Sequence, residues 1–237
     1  MAKAPPLVVA VRERLALAGD PSKAPAMAAY MKSAMPFRGV NAPAQRVIFR
    51  ELFAAHPLAT FDAWQTAVLT LWRGAAFREE RYAAVELTGY RAYRAHQTLE
   101  SLPMYEEMIV TGAWWDVVDV IAAHRIGPLL AKYPREMTRT LRAYSLDRDL
   151  WKRRTAIIAQ IARKKDTDLA LLFACIEPNL DDRDFFIRKA IGWALRSYAW
   201  VDEKPIVAWV AEHEERLSGL SKREALKNVG KAPRGKK

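Results

Sequence analysis

The sequence predicts an all-α protein, a superhelical solenoid of stacked antiparallel helix pairs. Apolar residues recur at helical spacing along nearly all of its 237 residues, whereas the alternation typical of strands is scarce. Turn and capping signals, such as Asp20-Pro21 and Asn41-Ala42-Pro43, divide the chain into short segments. A third observation, a pattern that recurs over the length of a helix pair, indicates that these helices stack as a solenoid.

The composition excludes several protein classes. A chain that is 51% apolar and 27% charged is neither disordered nor collagen-like. The lone Cys175 cannot close an internal disulfide, and no apolar stretch approaches the roughly 20 residues that span a bilayer. We therefore expect a cytoplasmic protein with a single repeat domain over 1–229 and a basic, disordered tail over 230–237.

Helical periodicity and its punctuation predict a series of short helices joined by short loops. The dipeptides Gly127-Pro128 and Asp181-Asp182 are expected to fall in or beside loops. The predicted helices cover residues 7–18, 22–34, 43–55, 60–73, 78–94, 101–111, 114–124, 134–145, 148–163, 166–176, 184–199, 203–215 and 220–229.

Four residues, called the repeat centres below, mark the repeat: Arg81, Asp119, Arg154 and Lys189. Successive centres are 38, 35 and 35 residues apart, and apolar side chains stand four residues before, two after and four after each of them. A period of about 35–47 residues is typical of helical solenoids of the HEAT or tetratricopeptide kind. Equivalent positions of such repeats line up along one surface, so the centres are expected to form a row. The first 60 residues do not follow the pattern.

The row is cationic at three centres and anionic at Asp119. A net charge of +11 favours a polyanionic partner, because each phosphate contact releases condensed counterions. A carboxylate in such a row repels phosphate, which leaves two interpretations. Asp119 forms a salt bridge with a neighbour such as Arg154, one repeat away, or it stabilises positive charge beside a sugar-phosphate backbone.

Two tryptophans accompany this carboxylate. Trp115 and Asp119 are four residues apart, which places them on one face of a helix, and Trp193 occupies the position four after a centre two repeats later. A tryptophan at helical spacing is usually a core residue. Two of them near one carboxylate in a basic groove also suit a cationic ligand, because an indole face attracts cations.

Five segments resemble a known family. Residues 111–119, TGAWWDVVD, closely resemble the tryptophan–aspartate motif of the AlkD-type DNA alkylation repair glycosylases. Residues 150–157 (LWKRRTAI), 185–196 (FFIRKAIGWALR), 27–32 (MAAYMK) and 220–226 (LSKREAL) agree with the same family. The resemblance covers roughly residues 20–229, and its motifs are specific in combination rather than singly.

The resemblance implies a HEAT-like superhelix that cradles duplex DNA on a concave basic face. It implies hydrolysis of the N-glycosidic bond of cationic N3- or N7-alkylated purines, such as 3-methyladenine and 7-methylguanine, in base excision repair. By position, Asp119 would be the catalytic carboxylate, with Trp115 and Trp193 as aromatic walls about the damaged nucleotide. Arg154 would hold the DNA backbone, and Tyr30 would touch DNA beside the lesion.

Further DNA contacts are expected from three cations, Arg81, Lys189 and Arg196. Asn41 stands where the family pattern has Gln; the substitution keeps the amide and shortens its reach by one methylene. The expected partner is double-stranded DNA containing alkylated purines, bound by a monomer that needs no cofactor or metal. On DNA, the protein would be nucleoid-associated.

Two rival functions remain open. One is a non-catalytic HEAT-repeat module that binds damaged or branched DNA, and the other is a solenoid scaffold for an acidic protein. The combination of Trp115, Asp119, Arg154 and Trp193 favours the glycosylase, because a pure binder has no need of a carboxylate in its cationic row. The four histidines are scattered, without metal-ligand spacing.

Overall fold

The structure, a computed structural model, describes residues 4–231. These residues form fourteen α-helices, connected in places by 3-10 turns, and contain no strand, so the prediction of an all-α fold is confirmed. The helices, α1 to α14 in chain order, are Pro6–Leu17, Ala24–Met31, Ala42–Ala55, Phe61–Arg73, Arg78–Gly89, Leu102–Gly112, Trp115–Ile121, Gly127–Lys132, Pro134–Ser145, Leu150–Ile158, Leu169–Ile176, Phe185–Ala199, Lys204–Glu212 and Gly219–Leu226.

The chain divides into two compact units, one up to Met104 and the other from Tyr105 onward. In the first unit, α1 packs against α3, α4 and α5 and buries an apolar face that includes Val8 and Leu15. In the second unit, α10 packs against α9 and α12, and α12 packs against α14. Such burial stabilises helices of 6–15 residues, most of which would be marginal in isolation. The single domain over 1–229 stays a prediction.

The sequence repeat corresponds to equivalent positions in four helices. Every repeat centre is the fourth or fifth residue of its helix: α5, α7, α10 and α12. The side chains two residues after the centres are all buried, as their apolar character predicts. They are Ala83, Ile121, Ala156 and Ile191.

Several predicted boundaries are wrong, including the end of the helix expected over 148–163, which the structure places at Ile158. The helix expected over 78–94 ends at Gly89, and a 3-10 turn, Arg91–His96, follows it. The loop expected at Gly127-Pro128 is helical, because a π-helical turn, Ala122–Ile126, joins α7 directly to α8. A proline lacks the N–H of a regular helix, and the π turn is where the hydrogen-bond pattern changes. Gly127 suits this place because a Cβ atom there would lie 2.5 Å from the carbonyl oxygen of Ala159.

None of the described helices is long and apolar enough to cross a membrane. Of the predicted tail over 230–237, the structure describes Gly230 and Lys231, and the remaining residues lie outside the described range.

Candidate active site

A tight turn between α6 and α7 determines where α7 begins, the helix that carries Trp115 and Asp119 of the tryptophan–aspartate motif. Ala113 has a left-handed backbone, with φ of 43°, which costs a non-glycine residue about 1–2 kcal/mol. Trp114 is extended and precedes the first residue of α7, Trp115. Strained residues of this kind cluster where a particular side-chain orientation is required, including active sites.

Asp119 and Arg154 form a bidentate ion pair. The Nε and Nη2 atoms of Arg154 donate to the two carboxylate oxygens of Asp119, both at 2.7 Å. The remaining nitrogen, Nη1, donates to the carbonyl oxygen of Phe186 at 2.6 Å. Arg154 is 5% exposed, so its guanidinium is engaged by protein acceptors in this structure. The salt bridge that the sequence left as one of two interpretations is therefore present.

The ion pair and burial act in opposite directions on Asp119. Burial raises the pKa of its carboxyl above the usual value, and nearby Asp116 adds to the increase, whereas the hydrogen bonds and charge of Arg154 lower it. Arg154 donates to both oxygens, and this charge-assisted pairing favours the ionised form against the effect of burial. Asp119 keeps 16% of its side chain exposed, which leaves part of the carboxylate open to solvent.

An aromatic cluster adjoins the ion pair. The rings of Trp114, Trp151 and Phe186 lie with centroids 5.1–6.1 Å apart, and the guanidinium of Arg154 lies 5.9 Å from the Phe186 ring. These rings reduce the local dielectric and strengthen the electrostatic effect of the pair. The sequence patterns predict no role for these three rings, although Trp151 and Phe186, each three positions before a repeat centre, were a usable signal.

The tryptophans proposed as aromatic walls are both half-buried. Trp115 lies one helical turn before Asp119 on α7. Trp193 lies on α12 and packs partly against the core of the second unit. Each residue therefore retains some exposed surface, and the roles of the two tryptophans stay predictions.

Lys189 and Arg196, both on α12, are paired with the same carboxylate. Lys189 donates from Nζ to Glu224 at 2.9 Å, and Arg196 forms a second ion pair with the other oxygen of Glu224. Glu224 comes from α14. The two cations are 36% and 22% exposed at their side chains, against 16% for the carboxylate.

Three more predicted DNA contacts lie in the first unit. Tyr30, on α2, is 78% exposed. The side chain of Asn41 caps α3 by accepting a hydrogen bond from the N–H of Ala44 at 3.0 Å. The guanidinium of Arg81 lies 4.6 Å from the ring centroid of Trp72. No group of three or more His, Cys, Asp or Glu that could hold a metal ion occurs within residues 4–231.

Comparison with known proteins places the chain in a family. The profile of the DNA alkylation repair enzyme family matches residues 11–229, which is nearly the whole chain. The chain belongs to this family. It is also similar to a solved structure described as a predicted DNA alkylation repair enzyme from Enterococcus faecalis, with a TM-score of 0.81 and 27% identity. That match covers 90% of this chain and 98% of the other. No curated protein sequence matches the chain. A role in DNA repair follows for this family member.

Proposed function

We propose that this protein is a monofunctional DNA glycosylase that removes cationic N3- and N7-alkylated purines from duplex DNA. The observation that carries the proposal is the Asp119 carboxylate, which pairs through both oxygens with Arg154 and is still 16% exposed. A carboxylate that is buried, oriented and partly open is suited to stabilise a positive charge that develops in a reaction.

The substrate's own charge makes a second acid unnecessary. An N3- or N7-alkylpurine is already cationic, so the bond between C1′ and the base breaks with its electron pair going to the base and neutralising it. The sugar becomes oxocarbenium-like, and water adds to C1′ and releases one proton to the solvent, so that the products are a neutral base and an abasic site. Most glycosidases instead use a second carboxyl group to protonate the leaving group. Here a single carboxylate, Asp119, would stabilise the sugar cation and orient the water.

Trp115 and Trp193 would favour the same charges. An indole face attracts a cation by about 0.5–2 kcal/mol, more where water is excluded. A wall on the sugar would stabilise the positive charge that develops there as the bond breaks, whereas a wall on the base would favour binding of a lesion that is already cationic over a neutral one. This predicts selectivity for alkylpurines whose charge is fixed.

Contacts to the DNA backbone would come from Tyr30, Asn41, Arg81, Lys189 and Arg196. The net charge of +11 supports a surface that tracks phosphates, and the proposal includes a concave superhelical groove as that surface. A monomer that wraps the duplex would suffice, and in the cell it would act in the cytoplasm on nucleoid DNA.

A second candidate function is a non-catalytic module that binds damaged or branched DNA. The salt bridge between Asp119 and Arg154 favours it, because a satisfied pair can serve packing alone. The two candidates differ in one product: only the glycosylase releases a free base.

The test is release of free 7-methylguanine from methylated duplex DNA, measured by chromatography. We expect release by the wild-type protein and, for Asp119→Asn, a rate lower by at least about tenfold with DNA affinity retained. A neutral lesion such as hypoxanthine in the same duplex should be released poorly. Absence of free base with wild-type protein that binds the DNA would favour the non-catalytic module, and equal rates for the two proteins would remove Asp119 from the mechanism.

A further inference from the structure

Glu224 lies between two cations on α12. Lys189 and Arg196 are seven residues apart, which is two helical turns, so their side chains project from one face of α12. Each pairs with a different oxygen of Glu224. The hydrogen bond from Lys189 and the charge of Arg196 keep the pKa of Glu224 below its usual value, so Glu224 is ionised at neutral pH.

The packing of α14 on α12 positions the carboxylate of Glu224. Gly192 lies between the two cations, and a Cβ atom at this position would be 2.4 Å from the Cβ of Glu224 and 2.9 Å from the carbonyl oxygen of Ser221. The hydroxyl of Ser221 also donates to the carbonyl oxygen of Arg188 at 3.0 Å. The close approach of the two helices, permitted by a glycine, therefore fixes Glu224 against the cations.

The carboxylate lowers the charge that this surface presents. Lys189, Arg196 and Glu224 together carry a net charge of +1 rather than +2, and the carboxylate is the least exposed of the three. A phosphate that approaches either cation must compete with an ion pair already formed. The electrostatic gain from counterion release is correspondingly smaller than for two unpaired cations.

We propose that Glu224 weakens nonspecific binding to the DNA backbone by competing with phosphates for Lys189 and Arg196. The inference rests on the proposed function, in which these cations contact DNA. It gives α14 a role in search: a repair protein must leave the large excess of undamaged sites, and a weaker backbone contact shortens each visit.

The test is the affinity of Glu224→Gln for an undamaged duplex over a series of salt concentrations. We expect about fivefold tighter binding at low salt, and a plot of log affinity against log salt that is steeper by about one to two units. A gain in affinity is diagnostic, because damage to the fold would weaken binding. Binding unchanged or weaker than that of the wild type would overturn the proposal.

A matched control is Glu214→Gln. Glu214 is 67% exposed at its side chain and pairs with Lys222 at 2.7 Å, so this variant changes the net charge equally without touching the cations of α12. It should change affinity much less than Glu224→Gln, because exposed charges are screened within about 8–10 Å. An equal gain in both variants would mean that net charge alone is responsible, and would also overturn the proposal.

A double-variant cycle assigns the effect to the cations. In a background with Lys189→Gln and Arg196→Gln, the change Glu224→Gln should no longer tighten binding. A gain that persists there would overturn the assignment. Because the measurement uses undamaged DNA and no excision, it is independent of base release, and failure of the glycosylase proposal would appear only in the 7-methylguanine assay.

Discussion

Two carboxylates of low exposure, Glu79 in the first unit and Asp119 in the second, differ in the groups that donate hydrogen bonds to them. Glu79 is fully buried, and it accepts hydrogen bonds from three successive backbone N–H groups, those of residues 38–40, at 3.0–3.2 Å. Asp119 is partly exposed and accepts hydrogen bonds from one side chain, Arg154. Glu79, called the closed carboxylate below, is covered by the main chain. Asp119, called the open carboxylate, is partly accessible to solvent and pairs with a side chain on a neighbouring helix.

The turn held by Glu79 explains why that acid is buried. Gly39 has a left-handed φ of 85°, and a Cβ atom there would lie 2.0 Å from the carbonyl oxygen of Asp20. Successive N–H groups in such a turn make a concave site for an anion, which the carboxylate of Glu79 occupies. A buried acid whose oxygens are occupied by backbone donors is structural, and one that keeps an exposed edge is available for chemistry.

The largest expected effect concerns the partner of the open carboxylate. Arg154→Met removes the hydrogen bonds and the charge that lower the pKa of Asp119, while burial, which raises it, remains. The pKa therefore moves upward, the ionised fraction at neutral pH falls, and excision should slow by at least about tenfold. The acid limb of the pH profile of single-turnover excision should shift to higher pH.

The control for this variant is Arg153→Met, on the same helix. Arg153 pairs with Asp182 at 2.9 Å and not with Asp119, so its loss changes the net charge equally and should leave the pH profile in place. If Arg154→Met instead left the profile unchanged, and weakened DNA binding with a salt slope lower by about one, Arg154 would be the phosphate contact that the sequence motif implies.

The sequence predicted the open carboxylate but not the closed one. Asp119 was recognisable because it interrupts a row of cations at a fixed repeat, and the register of that row depends only on residues about 35 apart. Glu79 lies in the run Arg78-Glu-Glu-Arg81, which is typical of a solvated helix face. Its partners are some 40 residues earlier in the chain, and nothing in local periodicity links the two segments.

The helix boundaries also divide into those set by neighbouring residues and those set by contacts between distant segments. Short-range signals located most helix starts, as for Asn41 before α3, because capping involves residues two or three apart. The helical state of Gly127-Pro128 depends on the π turn before it and on the approach of Ala159 from α10, which are tertiary features. Proline and glycine together indicated a loop that packing overrides.

An intermediate effect is expected at the tryptophans. Trp115→Ala and Trp193→Ala should each lower single-turnover excision by about two- to thirtyfold, the range that corresponds to a cation–π contribution of about 0.5–2 kcal/mol. Binding of the same methylated duplex should change less than excision. Trp115→Phe should recover part of the rate, because a phenyl face attracts cations more weakly than an indole face.

Trp200→Ala is the matched control, since Trp200 is a 38% exposed tryptophan that follows α12. It should leave excision close to the wild-type rate. Should binding and excision decline together in Trp115→Ala and Trp193→Ala, the rings would contribute uniform affinity rather than stabilisation of the reacting charge.

The smallest effect on excision is expected from the closed carboxylate. Glu79→Gln keeps one acceptor oxygen but places an amide NH2 group near backbone donors, in a site without solvent. Loss of hydrogen bonds to a buried charged group should lower the free energy of unfolding by about 1–3 kcal/mol. Excision by the folded protein at saturating DNA should stay within about twofold, because the variant changes a turn and not the reacting group.

Glu86→Gln, at an exposed position of the same helix, controls for the loss of charge and should change neither quantity. Denaturant unfolding and single-turnover excision on the same preparations separate stability from chemistry. A tenfold loss of excision in Glu79→Gln with little loss of stability would contradict the comparison, because a closed acid would then affect the reaction as an open one does. Burial pattern would in that case no longer distinguish structural from catalytic carboxylates in this protein.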